Sequence, residues 1–134
     1  MKHAIVLAHP GRTSLNAAIA RAYRQAVERH GHTADVRDLY AMRFDPCLRA
    51  PEIPGERKPA FRPDVIRERE RLAEVDVFAF VYPFWFNAPP AILKGYVDRV
   101  FSMGFGFNPI SGGSSPALTG RKLISFTTSG APHH

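Results

Sequence analysis

The run "VDVFAFVYP", from Val75 to Pro83, restricts the fold more than any other stretch of the chain. After Asp76 it has no polar side to turn toward water, so a strand made from it needs apolar cover on both faces. That is the condition of a strand inside a parallel sheet flanked by helices. The surrounding segments fit such a sheet. Ile5 to Ala8 is a second apolar run, while Leu15, Ala18, Ile19, Ala22, Tyr23, Ala26 and Val27 recur at helical spacing up to a closing His30-Gly31. Thr33 to Tyr40 alternates as a strand, with Ala34, Val36 and Leu39 facing inward. Asp64 is placed to cap a charged helix reaching about Val75. Pro89 and Pro90 suit the first turn of a helix carrying Leu93, Tyr96, Val97, Val100 and Phe101, and "KLISFTTSG" reads as a fourth strand. Strands and helices therefore alternate throughout. This pattern predicts an α/β three-layer sandwich, its parallel strands joined by right-handed crossovers.

With 134 residues, one domain over 1–134 is expected. Ala41 to Pro63 contains Pro46, Pro51, Pro54, Pro59 and Pro63 and is expected to be an irregular connection, as is the Gly/Ser/Pro-rich "MGFGFNPISGGSSPALTG". "TTSGAPHH" directly follows a strand, so the C-terminal part of the domain is expected to be missing. The formal charge is +6, but the arginines of "RPDVIRERERLAEV" alternate with glutamates, which predicts a solvated helix face and no nucleic-acid partner. The apolar run near the N-terminus holds five residues between two histidines, too short to insert into a membrane. Cys47 is the only cysteine, which fits a reducing, cytoplasmic setting; it is expected to pack as a small apolar residue.

Ligands of open α/β sheets bind outside the carboxyl ends of the strands. Three stretches lie there. "HPGRTSLN" puts Arg12, Thr13 and Ser14 at a helix N-terminus, as a phosphate seat or a plain hydroxyl cap. "YPFWFNAPPAILKG" brings Phe84, Trp85, Phe86 and Asn87, as a wall for a flat conjugated ligand or as core aromatics. "TTSG" offers hydroxyls and a glycine backbone, as a polar rim or an ordinary turn. Together they describe a crevice for a nucleotide with a planar head. Neither GxxxxGK[ST], GxGxxG nor G-x-S-x-G is present, and the histidines at 3, 9, 30, 32, 133 and 134 form no triad or metal pair.

The pieces "HPGRTSLN", "DLYAMRFDP", "YPFWFNAPPAILKGYVDRVFSMGFGF" and "TTSG", in this order, resemble the NAD(P)H quinone oxidoreductase family of flavodoxin-like flavoproteins. The resemblance implies a parallel sheet in order 2-1-3-4-5, its fifth strand outside this chain, a bound FAD or FMN, and a homodimer. Carried over by motif, His9, Thr13, Ser14, Leu15 and Asn16 would line the flavin phosphate and ribityl chain. Phe84, Trp85, Phe86 and Asn87 would lie along the isoalloxazine, and Thr127, Thr128, Ser129 and Gly130 would form its other polar edge. Phe107 would help shape the substrate pocket. The implied chemistry is hydride transfer from NAD(P)H to flavin N5, then two-electron reduction of a quinone. Ser129 stands where the family commonly has the first of two glycines, and the family's later tyrosine and histidine have no counterpart, so His133 and His134 receive no role. The same features leave open a flavin-dependent azo or nitro reductase, and an ancillary flavoprotein regulating a potassium-efflux transporter. A one-electron carrier is disfavoured, because such carriers tend to be acidic.

Overall fold

A computed structural model describes residues 1–55, 57–110 and 113–130, with 107–110 and 113–116 described by their backbone. Along the chain the elements are β1 (Lys2–Leu7), α1 (Leu15–Arg29), β2 (Thr33–Asp38), a short 3₁₀ turn (Ala50–Glu52), α2 (Pro63–Leu72), β3 (Val77–Phe84), α3 (Ala91–Val100), β4 (Phe107–Ile110), β5 (Gly113–Pro116) and β6 (Lys122–Ser129). The parallel sheet has the order β2-β1-β3-β6. The parallel strands are those that the alternation of strands and helices predicts, and their order is the flavodoxin-like one that the family resemblance implies, with β6 as the fourth strand.

β3 shows why its sequence carries no polar face. Ala79 and Val81 join Ile5 and Leu7 against Ala17 and Ala20 of α1 on one side. Phe78 and Phe80 join Ala4 and Val6 against Leu72 of α2 and Leu93, Tyr96 and Val100 of α3 on the other. Each alternate side chain finds a helix, so the period of two is hidden behind uniform hydrophobicity.

α1 starts and stops where its residues dictate. Ser14 is extended and its Oγ accepts the Ala17 N–H at 3.0 Å. At the other end His30 donates to the Ala26 and Val27 carbonyls, and Gly31 takes φ 79°.

Several expectations need correction. α2 is capped at Arg62 rather than Asp64 and ends at Leu72. Pro63 has no N–H to satisfy and a preset φ, so it opens the helix, and the Asp64 carboxylate is drawn to Arg99 instead. Pro89 and Pro90 both precede α3, whose first residue is Ala91. The segment after α3 holds the antiparallel pair β4–β5, with Phe107 opposite Pro116 and Ile110 opposite Gly113. Such a ladder is made by backbone groups, so its Gly/Ser/Pro-rich side chains do not announce it. Cys47 is exposed, its N–H held by the Asp45 carboxylate at 2.9 Å.

The charged helix departs most from expectation. One face of α2 enters a buried ionic network. Arg99 of α3, fully buried, reaches the carboxylates of Glu52 at 3.1 Å and Asp64 at 2.7 Å and the Asp45 carbonyl at 2.7 Å. Glu68 accepts the Tyr96 hydroxyl at 2.6 Å and both an Nε and an Nη of Arg37. Arg62 ties Glu52 to Asp45 and to the Cys47 carbonyl. The proline-rich connection is thus fastened to the helical layer by charge-assisted bonds. Gly95 completes the fastening: a Cβ there would run into the backbone of Pro46. Among the described residues no helix is long and apolar enough to cross a membrane.

Candidate functional site

The carboxyl rim of the sheet gathers the three stretches singled out in the sequence. Two contacts tie them together. The Thr128 hydroxyl at the end of β6 donates to Asn16 Oδ1, in the first turn of α1, at 3.0 Å. The His9 and Trp85 rings, beyond β1 and β3, lie 6.0 Å apart between centroids. Register brings the last two even closer, since Phe84 pairs with Ser129 and Pro83 with Thr128.

The segment after β1 is shaped by its own side chains. His9 Nδ1 accepts the Gly11 N–H at 2.8 Å. A Cβ on Gly11 would meet the His9 ring at 3.2 Å, so glycine lets the imidazole fold over the loop. The first turn of α1 carries no acidic residue, and the N–H groups of Leu15 and Asn16 have no intrahelical acceptor. That end of the helix favours negative charge. Thr13 and Leu15 are exposed beside it, while Ser14 spends its Oγ on the cap.

After β3 the chain makes a tight reversal. Trp85 and Ala88 exchange N–H···O bonds of 2.9 and 3.1 Å, with Phe86 at φ 52° and Asn87 at φ 59° between them. Two left-handed central residues make this a type I′ turn. Phenylalanine is a poor choice for such a backbone, since the β-carbon crowds the following carbonyl. The turn holds the Phe86 ring fully in solvent, and Phe84 and Trp85 are also exposed, at 43% and 42%. These are not core aromatics. Tyr82 is half-buried and packs against the α2–α3 side of the core.

At the junction of the three stretches lies a polar atom with nothing to do. Asn16 is 2% exposed, its Oδ1 is taken by Thr128, and its Nδ2 has no hydrogen-bond partner among the described residues. A buried amide donor left unsatisfied costs about 1–3 kcal/mol, which an acceptor on a bound molecule would remove. A helix end suited to an anion, a free amide donor and an exposed aromatic turn together fit a flavin's phosphate, ribityl chain and ring. Thr127, Ser129 and Gly130 are exposed along the opposite edge. Arg12, by contrast, lines a cavity on the β2 side of α1, which His9 borders. The Phe107 side chain, His133 and His134 lie outside the described residues. Among the described residues no group of three or more metal-ligating side chains could hold a metal ion.

The Asn16–Thr128 pair was not derivable from spacing, because 112 positions separate its members. Arg99 gave a signal: it lies three residues after Tyr96 on the apolar face of α3, where an unpaired charge would not be tolerated.

The model of the family described as having the flavodoxin-like fold matches residues 1–134. An uncharacterized NAD(P)H oxidoreductase of Haemophilus influenzae is 36% identical over 98% of this chain and 65% of its own length. NAD(P)H dehydrogenase [quinone] 1 of Cavia porcellus is 34% identical over 95% of this chain and 53% of its own. The chain thus spans between about half and two thirds of the length of these curated relatives. The solved NAD(P)H:quinone oxidoreductase of Methanothermobacter marburgensis superposes with a TM-score of 0.81 at 28% identity, over 99% of this chain and 68% of that one. The chain belongs to the family of flavodoxin-like fold proteins.

Proposed function

We propose that this chain is the flavin-holding part of an NAD(P)H:quinone oxidoreductase, cytoplasmic and homodimeric, with FAD or FMN as its cofactor. The observation that carries this reading is the orphaned Asn16 amide, placed between a helix end suited to phosphate and a turn that presents Phe86 to solvent. The names of the relatives at 36% and 34% identity support the same activity.

A bound flavin supplies a two-electron store that takes a hydride from NAD(P)H and delivers both electrons to a quinone, which gains two protons to become the hydroquinone. The chain's own contribution is placement. The N–H groups of Leu15 and Asn16 would take the phosphate, the Asn16 amide the ribityl chain, and Phe84, Trp85, Phe86 and Asn87 one edge of the ring. Thr127, Thr128, Ser129 and Gly130 would hold the other edge, and Phe107 would border the acceptor's slot. The exposed rings exclude water from one side of a planar acceptor, which favours electron delivery to a quinone stacked there.

The purified protein is expected to be yellow, or to become so when FMN or FAD is added, to bleach anaerobically with NADH or NADPH, and to regain colour on addition of a quinone. A colourless preparation that gains no bound flavin absorbance overturns the proposal. Sedimentation tests the dimer: a monomer at micromolar concentration would count against that part of it.

A further inference from the structure

A cavity of about 710 Å³ opens between α1 and the segment that follows β2, and His9, whose ring lies 6.0 Å from that of Trp85, stands between it and the aromatic turn. Apart from His9, no residue that lines it has a role in the proposed flavin site. Its volume falls in the usual range of small-molecule sites. Leu7, Ala17, Ala20 and Val36 contribute apolar surface.

Its charges are unusual. Arg12 from the β1–α1 loop, Arg21 from α1 and Arg43 from the loop after β2 all line it, exposed, and the guanidinium of none of them makes a hydrogen bond or ion pair among the described residues. Arg24 lines it as well, but its guanidinium is paired with Glu28 at 2.9 Å. Elsewhere Arg37, Arg62, Arg71 and Arg99 each hold a carboxylate, while the exposed Arg29, Arg57 and Arg67 stand apart from one another without one among the described residues. Three idle guanidiniums from three segments around one opening are a receptor for an anion with several acceptor oxygens.

The single carboxylate in the cavity refines the ligand. Asp38 ends β2, and its Oδ1 accepts the Ala41 N–H at 3.1 Å, leaving Oδ2 without a partner among the described residues. A carboxylate among cations would repel a bare phosphate, yet it is an acceptor for paired hydroxyls. In dinucleotide-binding α/β folds an acidic residue after the second strand binds ribose hydroxyls, and Asp38 holds that position here without the glycine-rich turn of those folds. Tyr40, half-buried beside it, offers a ring face for a base.

We propose that this cavity is a second site, adjoining the flavin crevice at His9, that takes a nucleoside phosphate: ribose hydroxyls on Asp38, phosphate oxygens among Arg12, Arg21 and Arg43, and the base toward Tyr40. It does not depend on the flavin reading.

The test is calorimetric titration of the folded protein with 5′-ADP, 2′,5′-ADP and inorganic pyrophosphate, in the presence of saturating FMN. At least one of the two nucleotides is expected to bind about tenfold or more tightly than pyrophosphate. Combining Arg21→Ser with Arg43→Asn should weaken nucleotide and pyrophosphate alike by tenfold or more; asparagine is chosen because Arg43 has φ 51°. Asp38→Asn should weaken the nucleotide and leave pyrophosphate unchanged. Preference for 2′,5′-ADP identifies the adenosine half of NADPH as the source, and preference for 5′-ADP a free nucleotide; either supports the site. Equal binding of pyrophosphate and both nucleotides, or nucleotide affinity unmoved by the variants, overturns it. FMN uptake is expected to be the same in all variants, so a wild-type protein that takes no FMN sinks the flavin reading alone.

Discussion

The helical layer behind β3 and the carboxyl rim of the sheet treat polar groups in opposite ways. Behind β3, Arg99, Glu52 and Glu68 are buried and each is held by two or more partners. At the rim, one buried amide has half its capacity idle and three large aromatic rings face water. Saturation of the first region fixes the path of a connection rich in proline. Deficiency in the second leaves surface and donors for something the chain does not itself contain. The same protein thus uses charge where it needs shape and leaves shape open where it needs a ligand.

Arg99→Met separates the regions most forcefully. It leaves Glu52 buried with fewer partners and Asp64 without its principal one, and should cost about 3–5 kcal/mol in urea unfolding, as removing one member of a buried ion pair does. Flavin affinity of the molecules that remain folded is expected to stay unchanged. A loss below about 1 kcal/mol would mean that the network is not the clamp described here.

Gly95→Ala tests the same clamp by shape. Its methyl group would strike Pro46, and overpacking of this kind costs about 1–3 kcal/mol. A thermal midpoint equal to wild type would show that the connection yields easily.

Trp85→Ala moves to the rim and reverses the pattern. The ring is 42% exposed, so flavin-free mutant and wild type should unfold within about 0.5 kcal/mol of each other. Flavin retention should nevertheless fall about tenfold or more, measured by equilibrium dialysis. A large loss of stability in the flavin-free mutant would return the ring to the core.

The smallest expected effect is on acid stability. The Cys47 N–H and Arg62 hold Asp45 at about 2, and the Arg99 hydrogen bonds hold Asp64 below the ordinary carboxylate range. Burial works against Glu52, but Arg99 and Arg62 outweigh it and lower that carboxyl too. Carboxyls with lower values folded than unfolded stabilise fully above their unfolded values and lose that contribution as pH falls. The urea midpoint should therefore decline between about pH 4 and 2, with a shallower decline over that window in Arg99→Met. An identical slope in the variant would assign acid sensitivity to other groups.

The sheet was legible because β1 and β3 are uninterrupted apolar runs, and because α1 keeps its helical spacing over enough residues to be unambiguous. The rim was legible because "HPGRTSLN", "YPFWFNAPPAILKG" and "TTSG" follow strands, and strand ends place residues together without any need to know side-chain contacts. What stayed hidden depends on partners distant in the chain. "RERER" looks the same whether water or Arg37 and Tyr96 meet its Glu68, and nothing near Asn16 points to Thr128. β4 and β5 stayed hidden for another reason, since their pairing is written in backbone groups.

The turn at Trp85–Ala88 bears on the thermodynamics of binding as well as its geometry. A fully exposed phenyl ring on a pliant loop would have to surrender backbone freedom each time a planar molecule arrived, and that loss would be subtracted from the affinity. Phe86 sits between two backbone hydrogen bonds, at φ 52°, in a conformation that folding has already imposed. Association there should carry a smaller entropic penalty than the ring's exposure suggests, and exchange of one flat partner for another should leave the backbone where it was.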